Sequence, residues 1–211
     1  MQPWDPLHVS HYRQIMGNEA QDGGPGRIGR TPIHDGRRIR FSVDRVRFPD
    51  GSEGDLEFIR HPGASAILPV LGDVSEPDPE VLLLKQYRYA AGGFIIEVPA
   101  GCPDQTGEPW ETVASRELEE ETGWKAGKLT SMTRIFTTPG FTDEVIHLFV
   151  ATELERGTSN LDQDEFLEVL RVPFSQAVAW VKDGQITDCK SVATILYAAQ
   201  FVIGRSEGQG D

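Results

Sequence analysis

From Arg38 to Phe48 the chain alternates polar and apolar residues, RIRFSVDRVRF, and after the turn-rich PDGSEGD the segment LEFIRH resumes the alternation. A period of two is that of a half-buried strand, so this stretch predicts two strands of a hairpin-like unit. ASAILPVLG and EVLLLKQYRY are apolar runs ended by Gly, Pro and charged residues, and read as buried strands. GGFIIEVPAG, KLTSMTRIFTT, EVIHLFVATEL and LEVLRVPF are also strand-like, with Pro139-Gly140-Phe141-Thr142-Asp143 turning between the second and third of these. FSQAVAWVKDGQI and CKSVATILYAAQFVIG show helical periodicity instead, the second long and apolar enough to pack on a sheet. Strands alternating with about three helices predict an α/β sandwich around a mixed sheet. Residues 1–30 read as mostly irregular, with the Gly-rich GNEAQDGGPGRIG mobile and the tail SEGQGD similar.

The third helix lies between Pro109 and Gly123, which bracket it in the usual order. Trp110, Val113, Ala114 and Leu118 form its apolar stripe. Its last turns read Arg116-Glu117-Leu118-Glu119-Glu120-Glu121, four carboxylates in five residues from Glu117. A run of glutamates ordinarily forms a solvated face, opposite the stripe, where Glu111 and Glu119 point. Glu117 and Glu121 instead fall within roughly 40° of the stripe's mean direction, with Glu120 at its edge. Carboxylates brought that close to a core cost several kcal/mol if nothing meets their charge. Related as i, i+3 and i+4, the three can converge on one point, and hard divalent cations want such oxygen ligands.

Composition narrows the partners. The chain has 211 residues, enough for one domain with an appendage, and a net charge of −13 with pI about 4.8. That balance argues against general nucleic-acid binding, which needs a basic footprint, and an acidic protein that handles phosphates needs metal and local arginines. Arg37, Arg38, Arg40, Arg45 and Arg47 are the basic part of the chain, readable as a solvent face of a sheet or as substrate contacts. Two cysteines, Cys102 and Cys189, make no disulfide framework, and a reducing cytoplasm is the expected location. Cys102 reads as a small loop residue, since no supporting His or Asn spacing marks it as a nucleophile. No apolar run reaches the ~18 residues of a membrane span, and MQPWDPLHVSHYRQ lacks a signal peptide's apolar core. Neither a P-loop nor a dinucleotide-binding glycine motif is present.

The segment from Gly101 to Trp124 resembles the Nudix box, G-x5-E-x7-R-E-U-x-E-E-x-G-U with U apolar. One position departs: six residues, not five, separate Gly101 from Glu108, a one-residue insertion in the Cys102–Gly107 loop. Gln86-Tyr87-Arg88-Tyr89, Glu97-Val98-Pro99-Ala100-Gly101, Pro139-Gly140-Phe141-Thr142-Asp143-Glu144 and the acidic segment ending Phe166-Leu167-Glu168-Val169 look like the ADP-ribose pyrophosphatase branch. In that branch a proline lies about fifteen residues past the box, as Pro139 does after Trp124. The resemblance spans roughly Arg38 to Val202.

That resemblance implies an α/β/α sandwich over residues 63–204, preceded by a small antiparallel β region over 1–62 and followed by a flexible tail, 205–211. It implies Mg²⁺-dependent hydrolysis of ADP-ribose to AMP and ribose 5-phosphate, with Mn²⁺ as an alternative metal. GDP-mannose, ADP-sugars, NADH, or a silent nucleotide-sensing role are the other readings. The metal ligands implied are the Ala100 carbonyl, Glu117, Glu120 and Glu121. Arg88 meets a phosphate beside Glu97, and Pro139, Gly140 and Phe141 lie at the terminal ribose. Arg116 braces the helix through Glu108 or a box carboxylate, completing with Glu120 and Glu165 the catalytic set. Glu165 is the general base, with Asp164 in reserve, because some relatives carry a glutamate where this chain has Gln163; Glu168 is structural. Similar enzymes are homodimers whose N-terminal strands complete the partner's site, which places Arg60 and Phe41 near substrate.

Overall fold

The computed structural model describes residues 24–161 and 166–205, and these divide into two units. Residues up to Pro62 together with Thr138–Glu144 form the first, and Gly63–Thr137 with the residues from Val145 onward form the second. In the first unit, β1 (Gly26–Asp35), β2 (Arg40–Arg47) and β3 (Glu53–Arg60) make an antiparallel sheet in that order. The second unit contains β4 (Ala64–Leu71), β5 (Glu80–Arg88), β6 (Gly93–Glu97), β7 (Ala100–Gly101), α1 (Trp110–Thr122) and β8 (Trp124–Lys125). It continues with β9 (Lys128–Phe136), β10 (Val145–Thr152), β11 (Glu155–Arg156), β12 (Leu167–Pro173), α2 (Phe174–Lys182) and α3 (Cys189–Phe201).

The burial of β4 on both faces is explained by its neighbours. The main sheet runs β12-β5-β4-β10-β9, with β6 added to β5 and β7 to β4, and β4 pairs with β10 in parallel. Ala66, Leu68 and Val70 pack on one face with Ile146, Leu148 and Val150 of β10 and with Phe174, Ala177, Ile195 and Ala198 of α2 and α3. Ile67, Phe149 and Ala151 face the other way, against Ala114 and Leu118 of α1. A central parallel pair covered by helices on both faces carries no polar alternation, and the sandwich is the α/β/α arrangement expected. Pro69 is tolerated within β4 because β7 pairs at Ser65 and Ala66 and β5 only from Val70, so the missing amide falls where the partner changes.

Two features differ from the sequence reading. Within the stretch read as irregular, whose residues 1–23 lie outside the described ones, β1 begins at Gly26 and adds a third strand to the expected two-stranded hairpin. Its glycines and proline argue against a strand, yet its register with β2 slips between Arg27 and Gly29 and between Pro32 and His34. An edge strand with bulges accommodates such residues, and Ile28 and Ile33 stand 38% and 56% exposed at the slips. The Pro139-to-Glu144 turn also does more than reverse the chain. The Ile59 amide donates to the Phe141 carbonyl (2.8 Å) and Asp143 accepts from Arg60 (3.0 Å) and from the His61 amide (2.9 Å). The turn thereby lines the open side of β3 within the first unit.

Candidate active site

The α1 helix begins after Pro109, already extended at φ −60° and ψ 138°, and ends at Gly123, whose φ of 71° favours glycine. Between these stops the periodicity turns Glu117 and Glu121 inward with Val113, Ala114 and Leu118, leaving them 8% and 2% exposed. Both meet the short β7 turn. The Ala100 amide donates to Glu121 Oε2 at 2.9 Å. Gly101 lies so close to Glu117 that a Cβ there would stand 2.1 Å from Glu117 Oε1, so any larger residue would push that carboxylate out of the cradle. Strand turn and helix face thus form a cradle for two buried carboxylates.

Arg116 answers part of this charge. One Nη donates to Glu117 Oε1 (2.8 Å) and Glu120 Oε2 (2.9 Å), and the other to the Cys102 carbonyl (2.9 Å). Its Nε lies 3.3 Å from Asp104 and 3.6 Å from Glu108. Burial works against the charged guanidinium, but the Glu117 charge and the bonds to Glu120 and Glu117 outweigh it and raise its pKa. The loop with the extra residue is drawn in by the same side chain, and the Asp104 amide donates to Glu108 Oε2 at 2.8 Å. The three box carboxylates do not close on one another: Glu117 and Glu120 turn to Arg116, and Glu121 to the Ala100 amide. Among the described residues no three acidic, imidazole or thiol groups stand together as a ready cation cage. Glu119, expected to be solvated, accepts from the Thr158 amide (3.2 Å) and pairs with Lys125 (3.2 Å), so it fastens a neighbouring loop.

Arg88 ends β5 opposite Gly93 and Glu97 ends β6 opposite Leu84, an even offset that leaves both side chains on one face of the pair, along which they reach each other. Nε and Nη2 of Arg88 donate to the two Glu97 oxygens at 2.9 and 2.8 Å. The hydrogen bonds to Glu97 raise the Arg88 pKa against the opposing effect of burial. Arg88 remains 41% exposed, while Glu97 is buried. A second cation reaches Glu97 that the sequence reading missed: Lys190 of α3, with Nζ 2.5 Å from Oε2. The signal was present, since Lys190 falls on the buried stripe of α3 with Ser191, Thr194, Ile195 and Ala198, as Glu117 does on α1.

Phe41, Arg60 and the Pro139–Phe141 turn, also expected at the site, lie in the first unit. Phe41 sits on β2 opposite His34 and Ile59. Arg60 pairs with Asp143, stacks over Phe58 (5.2 Å), and has Nε and Nη2 buried without a hydrogen-bond partner. Pro139, Gly140 and Phe141 are exposed on the turn beside β3. Glu165 and Asp164 fall outside the described residues. Glu168 is exposed on β12, 4.0 Å from Lys85 on the adjacent strand.

Comparison with known proteins bears on this arrangement. The NUDIX domain model matches residues 60–191. An ADP-ribose pyrophosphatase of Bacillus subtilis is 38% identical over 172 residues, covering 81% of this chain and 90% of its own. A GDP-mannose pyrophosphatase of Klebsiella pneumoniae is 39% identical over 126 residues, 56% of this chain and 63% of its own. A crystal structure of an ADP compounds hydrolase superposes with TM-score 0.71 at 20% identity, covering 87% of this chain and 96% of that one, which speaks to the fold.

Proposed function

Since the chain belongs to the NUDIX family, we propose that it hydrolyses the pyrophosphate of a nucleoside diphosphate sugar, ADP-ribose first, yielding AMP and ribose 5-phosphate. The observation that carries this reading is the pair Glu117 and Glu121, buried on α1 against the β7 turn, with the half-exposed guanidinium of Arg88 in the same unit. The donor set suits a hard divalent cation. It consists of carboxylates in a cradle cleared by Gly101, of which Glu117 and Glu120 share the Arg116 guanidinium with Asp104 and Glu108. Glu117, Glu120, Glu121 and the Ala100 carbonyl would hold Mg²⁺ or Mn²⁺. The bound cation would supply charge neutralisation for the pyrophosphate oxygens and acidify water.

The chain's own side chains do the rest. Arg88, fixed by Glu97, presents positive charge to a phosphate. Arg116 holds Glu117 and Glu120 in place. Glu165 accepts the proton of the attacking water. In the first unit Arg60, Phe41 and the Pro139–Phe141 turn contribute to substrate binding through a homodimer. Support for the dimer is the outer edge of β1, which pairs with no strand among the described residues, and the exposed Ile28, Ile33 and Leu56 on the small sheet, with Ile39 exposed in its β1–β2 turn. The relative named for GDP-mannose favours that sugar as the second candidate. Assaying ADP-ribose and GDP-mannose in parallel, with Mg²⁺ or Mn²⁺ and with chelator, decides. AMP release from ADP-ribose that chelator abolishes is expected, and faster turnover of GDP-mannose reassigns the substrate. Light scattering at micromolar concentration tests the dimer, which a fully active monomer would exclude.

A further inference from the structure

The α3 helix opens on a buried lysine. Lys190 is 8% exposed, and its Nζ lies 2.5 Å from Glu97 Oε2 and 2.9 Å from Asp188 Oδ2. A buried ammonium persists where carboxylates meet its charge, and here one of them is the same Glu97 that Arg88 grips with two bonds. Asp188 has a second duty, capping α3 by accepting from the Ser191 amide (3.0 Å) and hydroxyl (2.6 Å). The Ser191 hydroxyl oxygen accepts the Val98 amide at 2.8 Å. Two successive residues of α3 therefore hold two successive residues of the chain, Glu97 and Val98. That short segment leads into Ala100, whose amide holds Glu121, and Gly101, which cradles Glu117.

We infer that Lys190 is a positioning residue for the diphosphate site, acting through Glu97 on Arg88; the inference rests on the diphosphate-sugar reading above. Two cations share the Glu97 carboxylate, so Arg88 need not neutralise it alone. The guanidinium is clamped along its Nε–Nη2 edge, and its remaining edge and charge are directed to an anion. With a neutral residue at 190, Glu97 draws the whole charge of Arg88, and the buried cluster turns one unit more negative where a dianionic diphosphate must bind.

The test uses Lys190→Met and Lys190→Gln, which remove the charge (the second keeping an amide to donate to Glu97), and Lys190→Arg, which restores it. Each is made alone and with Arg88→Ala. Binding of a non-hydrolysable methylene analogue of ADP-ribose is measured by calorimetry. The Arg88 Nε–H resonance is followed by NMR in the protein without ligand. Lys190→Met and Lys190→Gln should weaken the analogue's Kd about tenfold, Lys190→Arg should stay within about threefold, and the Arg88→Ala background should reduce the loss to under about twofold. The Arg88 resonance should shift in the neutral variants and return in Lys190→Arg. An equal loss of affinity in both backgrounds would make Lys190 a general support of the fold and overturn the inference, as would an unmoved Arg88 resonance. A wild-type protein that does not bind the analogue refutes the substrate reading instead, and the NMR signal then decides on Lys190 by itself.

Discussion

Asp44 on β2 and Glu121 on α1 are buried almost equally, 3% and 2% exposed, but in opposite company. Both oxygens of Asp44 accept from Arg30 (2.7 and 2.8 Å), Ser42 Oγ adds a third bond (2.8 Å), and Arg60 stands 3.7 Å away. Two arginines and a hydroxyl thus surround one acid, and hydrogen bonding from Arg30 holds the Asp44 pKa below its ordinary 3.8 despite burial. Around Glu121 the proportions are reversed. Its helix carries Glu117 and Glu120 nearby, Arg116 is divided among Glu117, Glu120, Asp104 and Glu108, and Arg88, whose charge also reaches Glu121, is itself gripped by Glu97. Burying an acid is costly in both units. Where fixed cations surround it the acid is structural, and where acids outnumber them it is suited to bind a cation.

The largest expected effect tests the acid-rich side. Glu121→Gln keeps the volume and the bond from the Ala100 amide while removing charge, so kcat should fall at least ~10²-fold with the melting temperature nearly unchanged. A variant that lost its fold along with its activity would place Glu121 in the same class as Asp44. Gly101→Ala comes next, since its methyl would displace the Glu117 carboxylate, the flexible end of a side chain. The expected outcome is a kcat lower by about ten- to a hundredfold, with weakened metal dependence and little change in a urea unfolding curve.

Asp44→Asn should do the reverse, destabilising the small sheet by about 2–4 kcal/mol in urea while leaving the second unit's unfolding transition in place. The same carboxylate sets an acid dependence. With its folded pKa depressed, its contribution is complete above its ordinary value of 3.8 and is lost as pH falls below that value toward the folded pKa. Acid unfolding of the small sheet should follow that window in wild type and lose the dependence in Asp44→Asn, as monitored by circular dichroism. The smallest effect is expected of Glu119→Gln. An amide can still accept from Thr158, so kcat should stay within about twofold of wild type. A loss matching that of Glu121→Gln would remove the distinction between the faces of α1.

Features that local periodicity and backbone preference control could be read from the chain alone. The stops at Pro109 and Gly123, the inward direction of Glu117 and Glu121, and the two-face burial of β4 all follow from repeats within a dozen or so neighbouring residues. Tertiary structure decided the features whose partners are distant along the chain. A segment with Gly26, Gly29 and Pro32 becomes a strand only because β2 offers an edge and the bulges absorb the misfit. The Pro139–Glu144 turn joins the first unit through Asp143 and Arg60, 83 residues apart. Lys190 lies 93 residues from Glu97, so the helical pattern could place it on a buried stripe but could not name the carboxylate awaiting it. A buried charge is stable only with its counter-charge, and that counter-charge is supplied by the fold.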